Sequence, residues 1–128
     1  MQNKIIVRYT DGKILKGTTA DLFPNKATFH IKEHDSNATH EIDISFLKAV
    51  YFVKTFEGNP HHRERHDIER VGMGKKIEVC FKDGETLVGY TQGYTPGREI
   101  FIVFPSDPES NNEKVFVIAK ETSKVTFI

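Results

Sequence analysis

A single cysteine, no tryptophan and only five prolines leave this 128-residue chain with few of the usual anchors of a small fold. One cysteine, Cys80, cannot close an intramolecular disulfide, and a lone thiol fits a reducing compartment. Neither sign of charge is in excess: 18 lysines and arginines balance 18 aspartates and glutamates. That balance weighs against a protein that holds nucleic acid mainly by neutralising phosphates, although it leaves such binding open. No apolar run approaches the roughly 18 residues a membrane helix needs, and the opening MQNKIIVRYTDG lacks the apolar stretch of a signal peptide. A cytoplasmic protein without a membrane partner is therefore expected. What the chain does have is ten phenylalanines and a hydrophobic fraction of 38%, the composition of a globular core.

An internal repeat organises the rest. Residues 4–31 lie over 76–103 at an offset of 72, with identities that include Lys4/Lys76, Ile5/Ile77, Val7/Val79, Gly12/Gly84, Gly17/Gly89, Pro24/Pro96 and Phe29/Phe101. Ten of 28 positions agree, and they fall at apolar and turn sites. Further on, the offset drifts to 73 (Ile42/Val115, Ile44/Val117) and then to 75 (Val50/Val125, Phe52/Phe127), which implies two small length changes. The chain divides into a first repeat at 1–56, a connector at 57–74 and a second repeat at 75–128.

Each repeat has the pattern of five short strands. Ile5, Val7 and Tyr9 alternate with polar residues, and Ile77, Val79 and Phe81 keep the same parity, as half-buried strands do. Asp11-Gly12 and Asp83-Gly84 follow directly, and such pairs signal a hairpin, with a type I′ turn as the expectation. Gly17 and Gly89 fall inside the second strands, where glycine marks a bulge or bend. A bent second strand and a single turn before the fifth strand describe an SH3-like or Sm-like barrel. The expected fold is all-β: two tandem five-stranded barrels related by an approximate twofold. In the connector, Asn59-Pro60 reads as a helix start, which predicts a short exposed helix over His61–Arg70.

Motifs for chemistry are sparse. There is no GxSxG, and no serine has an adjacent histidine base, so no catalytic residue is assigned and no enzymatic activity is expected. His61, His62 and His66 invite a metal, but a zinc site needs three or four converging ligands, and a solvated polar linker explains them more simply. No glycine-rich phosphate loop is present, and no cofactor is expected. The densest candidate surface is Tyr90, Gln92, Tyr94 and Arg98, since aromatic residues and arginine are enriched where proteins bind one another. The first repeat has Thr18, Ala20, Leu22 and Lys26 in those places, so the surface belongs to one copy only.

The motifs DGxxLxGxT (11–19 and 83–91), LKAVYFV (47–53) and FPSDPESNNE (104–113) occur in an order that resembles an uncharacterised bacterial domain family. That family is found alone or appended to PilZ domains, mainly in delta-proteobacteria and their relatives. The resemblance implies a bacterial cytoplasmic protein linked to cyclic-dinucleotide signalling, and it supplies no catalytic residues. The PilZ ligand signature itself is missing, because Asp43-Ile44-Ser45-Phe46-Leu47-Lys48 ends in lysine where glycine is required. Two functions are expected on these grounds. The first is a non-enzymatic regulatory module that binds a protein partner; the second is an Sm-like RNA-binding module.

Overall fold

The computed structural model describes residues 3–128. Met1 and Gln2, the first residues of the expected first repeat, lie outside the described residues. Ten strands run antiparallel in one open sheet: β1 (Asn3–Tyr9), β2 (Ile14–Thr19), β3 (Thr28–Glu33), β4 (Thr39–Asp43), β5 (Leu47–Val53), β6 (Lys75–Phe81), β7 (Thr86–Thr91), β8 (Ile100–Pro105), β9 (Asn112–Ile118) and β10 (Thr122–Phe127). A single 3-10 turn precedes β5 (Ile44–Phe46) and another precedes β10 (Ala119–Glu121). The spatial order is β10-β6-β7-β8-β9-β5-β1-β2-β3-β4, so each repeat contributes five consecutive strands in the same internal order.

Both hairpin tips use a three-residue loop, not the two-residue type I′ turn expected from Asp-Gly. Gly12 donates to Tyr9 O (3.1 Å) while Tyr9 N donates to Lys13 O (2.9 Å), and Gly84, Phe81 and Glu85 repeat this at 3.0 and 2.8 Å. Only the glycines need positive φ (93° and 94°), because each aspartate instead accepts from the backbone two residues on, Lys13 N or Glu85 N. A type I turn closed by a glycine bulge results, and it suits the strand twist as well as a primed turn does. Gly17 and Gly89 serve another purpose. A Cβ on Gly17 would stand 2.1 Å from Lys32 O, and one on Gly89 would stand 2.2 Å from Phe104 O. Each glycine is thus the point where the second strand, paired on one side with the first, passes close against the third.

The repeats meet through β5 and β9, which pair in the register Ala49↔Val117, Val50↔Phe116, Tyr51↔Val115 and Phe52↔Lys114. All seven residues of β5 are buried, because its two faces enter different cores. Val50 and Phe52 join Ile5, Val7, Phe29 and Ile31, a core that Phe116 and Ile118 of the second repeat complete. Ala49, Tyr51 and Val53 join Ile77, Val79, Val103 and Val115 in the other. The junction therefore joins a fifth strand to a fourth strand. A twofold would require the reciprocal pair, β10 with β4, yet these are the two free edges of the sheet. The expected pseudo-twofold gives way to a head-to-tail junction of unlike strands.

Two further expectations change. The repeat offset is already 75 at the fourth strand: Ile42 opposes Phe29 where Val117 opposes Phe101, and Ile44 N bonds Ala27 O where Ala119 N bonds Glu99 O. All the extra length thus lies in the β8–β9 loop. The connector forms no helix over His61–Arg70. Asn59 makes a local turn (His62 N to Asn59 O, 3.1 Å), and beyond it the chain has no regular secondary structure and is held by side chains of the second repeat. With Ile68 as the single apolar residue of that stretch, a helix would have had no face to bury. No helix among the described residues is long and apolar enough to cross a membrane.

Candidate functional site

The four residues singled out in the second repeat are split by the fold. Tyr90 lies on β7 and is buried; its hydroxyl points at Ile68 O (3.4 Å) and helps to hold the connector. It presents no binding surface. Thr91 beside it is buried too, donating to Ile102 O at 2.8 Å. Past the end of β7 the chain turns outward, which leaves Gln92 exposed and Tyr94 half-buried. The Tyr94 ring packs edge-on against Phe101 (4.8 Å) and Phe127 (5.9 Å), so it caps the second core and keeps an outer surface. Gln92 Nε2 reaches Gly72 O at 3.4 Å. Tyr94 and Gln92 line one groove of about 470 Å³ together with Gly74, Lys75 and Phe127. The exposed Arg98 shares only a neighbouring cleft with Gln92, and beside Pro24, Lys26 and Ala27 it faces the first repeat.

Phe127 and Lys75 are the groove residues that sequence reasoning missed. Phe127 matches Phe52 in the repeat and so reads as core, yet it is 50% exposed, whereas Phe52 is 6% exposed. The cause is position in the sheet: β5 is covered by β9, and β10 is an edge. Lys75 Nζ lies 5.8 Å over the Phe127 ring, a cation–π contact at an exposed site.

A second polar cluster lies where the repeats join. Lys48, at the start of the otherwise apolar β5, is nearly buried; its ammonium contacts Asp83 Oδ2 (2.7 Å) and Glu85 Oε1 and sits 4.6 Å over the Phe81 ring. Tyr51 donates its hydroxyl to Glu85 at 3.1 Å. Burial, then the Glu85 charge and hydrogen bond, push the Tyr51 phenol far up, so it stays neutral. The hydrogen bond from Lys48 and then the Glu85 N–H hold the Asp83 carboxyl below its usual range. Since the lysine comes from one repeat and both acids from the other, the cluster fixes the register of the junction.

His62, Glu64 and Asp107 are the cluster closest to a metal site among the described residues. His62 Nε2 lies 2.8 Å from Asp107 Oδ2 and 3.9 Å from Glu64 Oε1; His61 and His66 take no part. Asp107 is 2% exposed, and its oxygens already accept from Arg65 N (3.0 Å) and Glu109 N (2.9 Å). Burial pushes the Asp107 carboxyl up, but those N–H donors and His62 together outweigh it and hold the group low. With both Asp107 oxygens accepting hydrogen bonds inside the protein, Asp107 and His62 act as a clamp that ties the connector to the β8–β9 loop. Arg70 adds a second tie, donating to Pro105 O at 3.0 Å.

An all-β chain built from two fused copies of one five-stranded unit, with a groove beside a free edge, is the class of protein these observations define. The chain belongs to a family of unknown function, DUF6982, whose family model matches residues 1–128. No curated protein and no solved structure matches it.

Proposed function

We propose that this chain is a non-enzymatic interaction module: two tandem SH3-like or Sm-like units that bind a protein partner through the second. The observation that carries this reading is the groove of Tyr94, Gln92, Lys75 and Phe127, where aromatic surface stays exposed beside a cation. Rigid aromatics with nearby hydrogen-bonding and charged groups supply contact energy at low entropic cost. The first repeat has Leu22 and Ala20 where Tyr94 and Gln92 stand, and Leu22 packs into its own core, so the groove chemistry belongs to one unit. The setting we propose is a regulatory assembly in the bacterial cytoplasm that includes PilZ domains.

The test is recovery of partners by the tagged full-length chain from native lysate, with and without nuclease. Tyr94→Ala and Gln92→Ala, each checked for an unchanged melting curve, should abolish recovery, and nuclease should not. Loss on nuclease treatment would favour RNA as the ligand; recovery unaffected by both folded variants would place the binding surface elsewhere.

A further inference from the structure

We propose that the outer edge of β10 is an open slot that accepts one antiparallel strand of the partner, apolar opposite Val125 and acidic opposite Lys124. This proposal rests on the interaction-module reading above and specifies how the partner binds. Its ground is the repeat itself. Residues 75 apart are equivalent in β5 and β10: Val50 opposes Val7 where Val125 opposes Val79, and Phe52 opposes Ile5 where Phe127 opposes Ile77. The outer edge of β5 is covered by β9, whereas the outer edge of β10 has no strand beside it among the described residues. The exposures agree with this: Phe52 and Val53 are 6% and 5% exposed, but Phe127 and Ile128 are 50% and 59% exposed. The second repeat keeps the side chains that a covering strand would bury, without the strand.

A second copy of this chain does not fit the slot. The strand equivalent to β9 is β4, and it is also a free edge. At the junction register, however, β4 sets Glu41 where β9 has Phe116, opposite Val125, and Asp43 where β9 has Ile118, two residues further along the same face. Conversely, β10 offers Lys124 and Thr126 where β5 has Ala49 and Tyr51, against Ile42. Self-pairing would drive those charges into apolar cores with no counter-charge facing them, which is costly. Charges that point toward a would-be neighbour are a known protection of sheet edges. The Lys48 cluster has no counterpart either, because position 123 is serine. The slot is closed to self and open to a strand of different chemistry.

The junction also defines that chemistry. Lys114, Val115, Phe116 and Val117 oppose Phe52, Tyr51, Val50 and Ala49. Carried to β10, the first three residues face Phe127, Thr126 and Val125, and the fourth faces Lys124. A lysine over Phe127 repeats the 4.7 Å contact of Lys114 with Phe52. An aromatic residue over Val125 repeats Phe116. A glutamate in the fourth place supplies the charge that Lys124 lacks, and main-chain hydrogen bonds provide the remaining affinity.

The probe is a capped, dye-labelled peptide of residues 110–119 carrying Val117→Glu, titrated into the full-length isotopically labelled chain. Saturable amide shifts should appear in β10 and its neighbour β6, with none in β4. The same peptide with valine restored should bind roughly tenfold more weakly, as should the glutamate peptide against the folded Lys124→Glu variant. A Val117→Lys peptide should recover affinity for Lys124→Glu. Absence of saturable shifts at millimolar peptide would overturn the slot, as would shifts confined to β4 or the loops, or affinities indifferent to the charge swap. Sedimentation showing self-association that Lys124→Glu abolishes would overturn it in favour of a second copy. If lysate partners are recovered through Tyr94 while the peptide fails, the slot is wrong and the module reading stands. Peptide binding without any lysate partner sensitive to Tyr94 or Gln92 would support the slot and fail that reading.

Discussion

Replacing Lys48 by methionine removes a cation that links the two repeats while keeping an unbranched stem over Phe81. Three contacts are lost: Asp83 at 2.7 Å, Glu85, and the Phe81 ring at 4.6 Å. Both acids are about half exposed (54% and 46%), so water takes over much of their solvation and each ion pair is worth the lower part of the usual range. The lysine side chain is only 11% exposed, which favours a cation–π term near the desolvated limit. Together these give a loss of about 1–2 kcal/mol at neutral pH, read as a lower urea midpoint at unchanged slope. Lys48→Glu should cost more, about 3–5 kcal/mol, because a third carboxylate would be forced among two others. The effect of Lys48→Met should also depend on pH in one direction. Asp83 titrates below its usual range when folded, so its share of the stability is present above about pH 4, the unfolded value, and disappears as pH falls through the folded value. The two urea midpoints should therefore converge in acid. A gap of the same size at pH 7 and pH 2 would refute the electrostatic account and assign the effect to packing.

Asp107→Asn should loosen the connector, since the amide cannot accept from Arg65 N, Glu109 N and His62 as the carboxylate does; a cost of about 1–3 kcal/mol and faster tryptic cutting at Arg63 and Arg65 are expected, and unchanged proteolysis would remove the clamp. Gly89→Ala places a Cβ 2.2 Å from Phe104 O and should cost about 2–4 kcal/mol, more than Gly84→Val at φ +94°, for which about 1–3 kcal/mol is expected; the reverse order in urea denaturation would show that β7 does not depend on close approach to β8. Fragments 1–56 and 72–128 should each lack a cooperative melt, because separation uncovers Ala49, Tyr51 and Val53 on one side and Phe116 and Ile118 on the other. Two fragments that melt as sharply as the full chain would show that the cores are independent.

The strands were legible because their signals are local. Alternation placed Ile5, Val7, Ile77 and Val79 inward, and the Asp-Gly pairs placed both hairpin tips, although the loop type depended on φ at the aspartates, which residue identity leaves open. The fourth strand was misaligned by two residues for a definite reason. Offsets of 73 and 75 have the same parity, and Ile42 matches Val115 and Val117 equally well, so apolar pattern alone cannot choose between them. The connector misled in a different way. Asn59-Pro60 does make a turn, but the path of the chain beyond it is decided by Asp107, more than forty residues away in sequence. A capping signal says where a helix can start; it says nothing of competing long-range bonds.

The candidate site shows the same division between local and non-local information. The repeats differ in chemistry at Tyr94 and Gln92, and that contrast pointed to the end of the second repeat where a groove lies. It also selected Tyr90, since an aromatic residue that replaces Thr18 looks like surface chemistry until the connector is seen to cover it. Phe127 went unnoticed for the opposite reason: agreement with Phe52 marks it as core. Agreement between two copies implies equal burial only if both copies have the same neighbours, and in an open head-to-tail sheet one copy of each edge must lack them. The informative position is therefore one at which the residues agree and the environments do not. Among the described residues Phe52 and Phe127 form such a pair, and it is the covered member, with β9 beside it, that specifies the strand the uncovered member should accept.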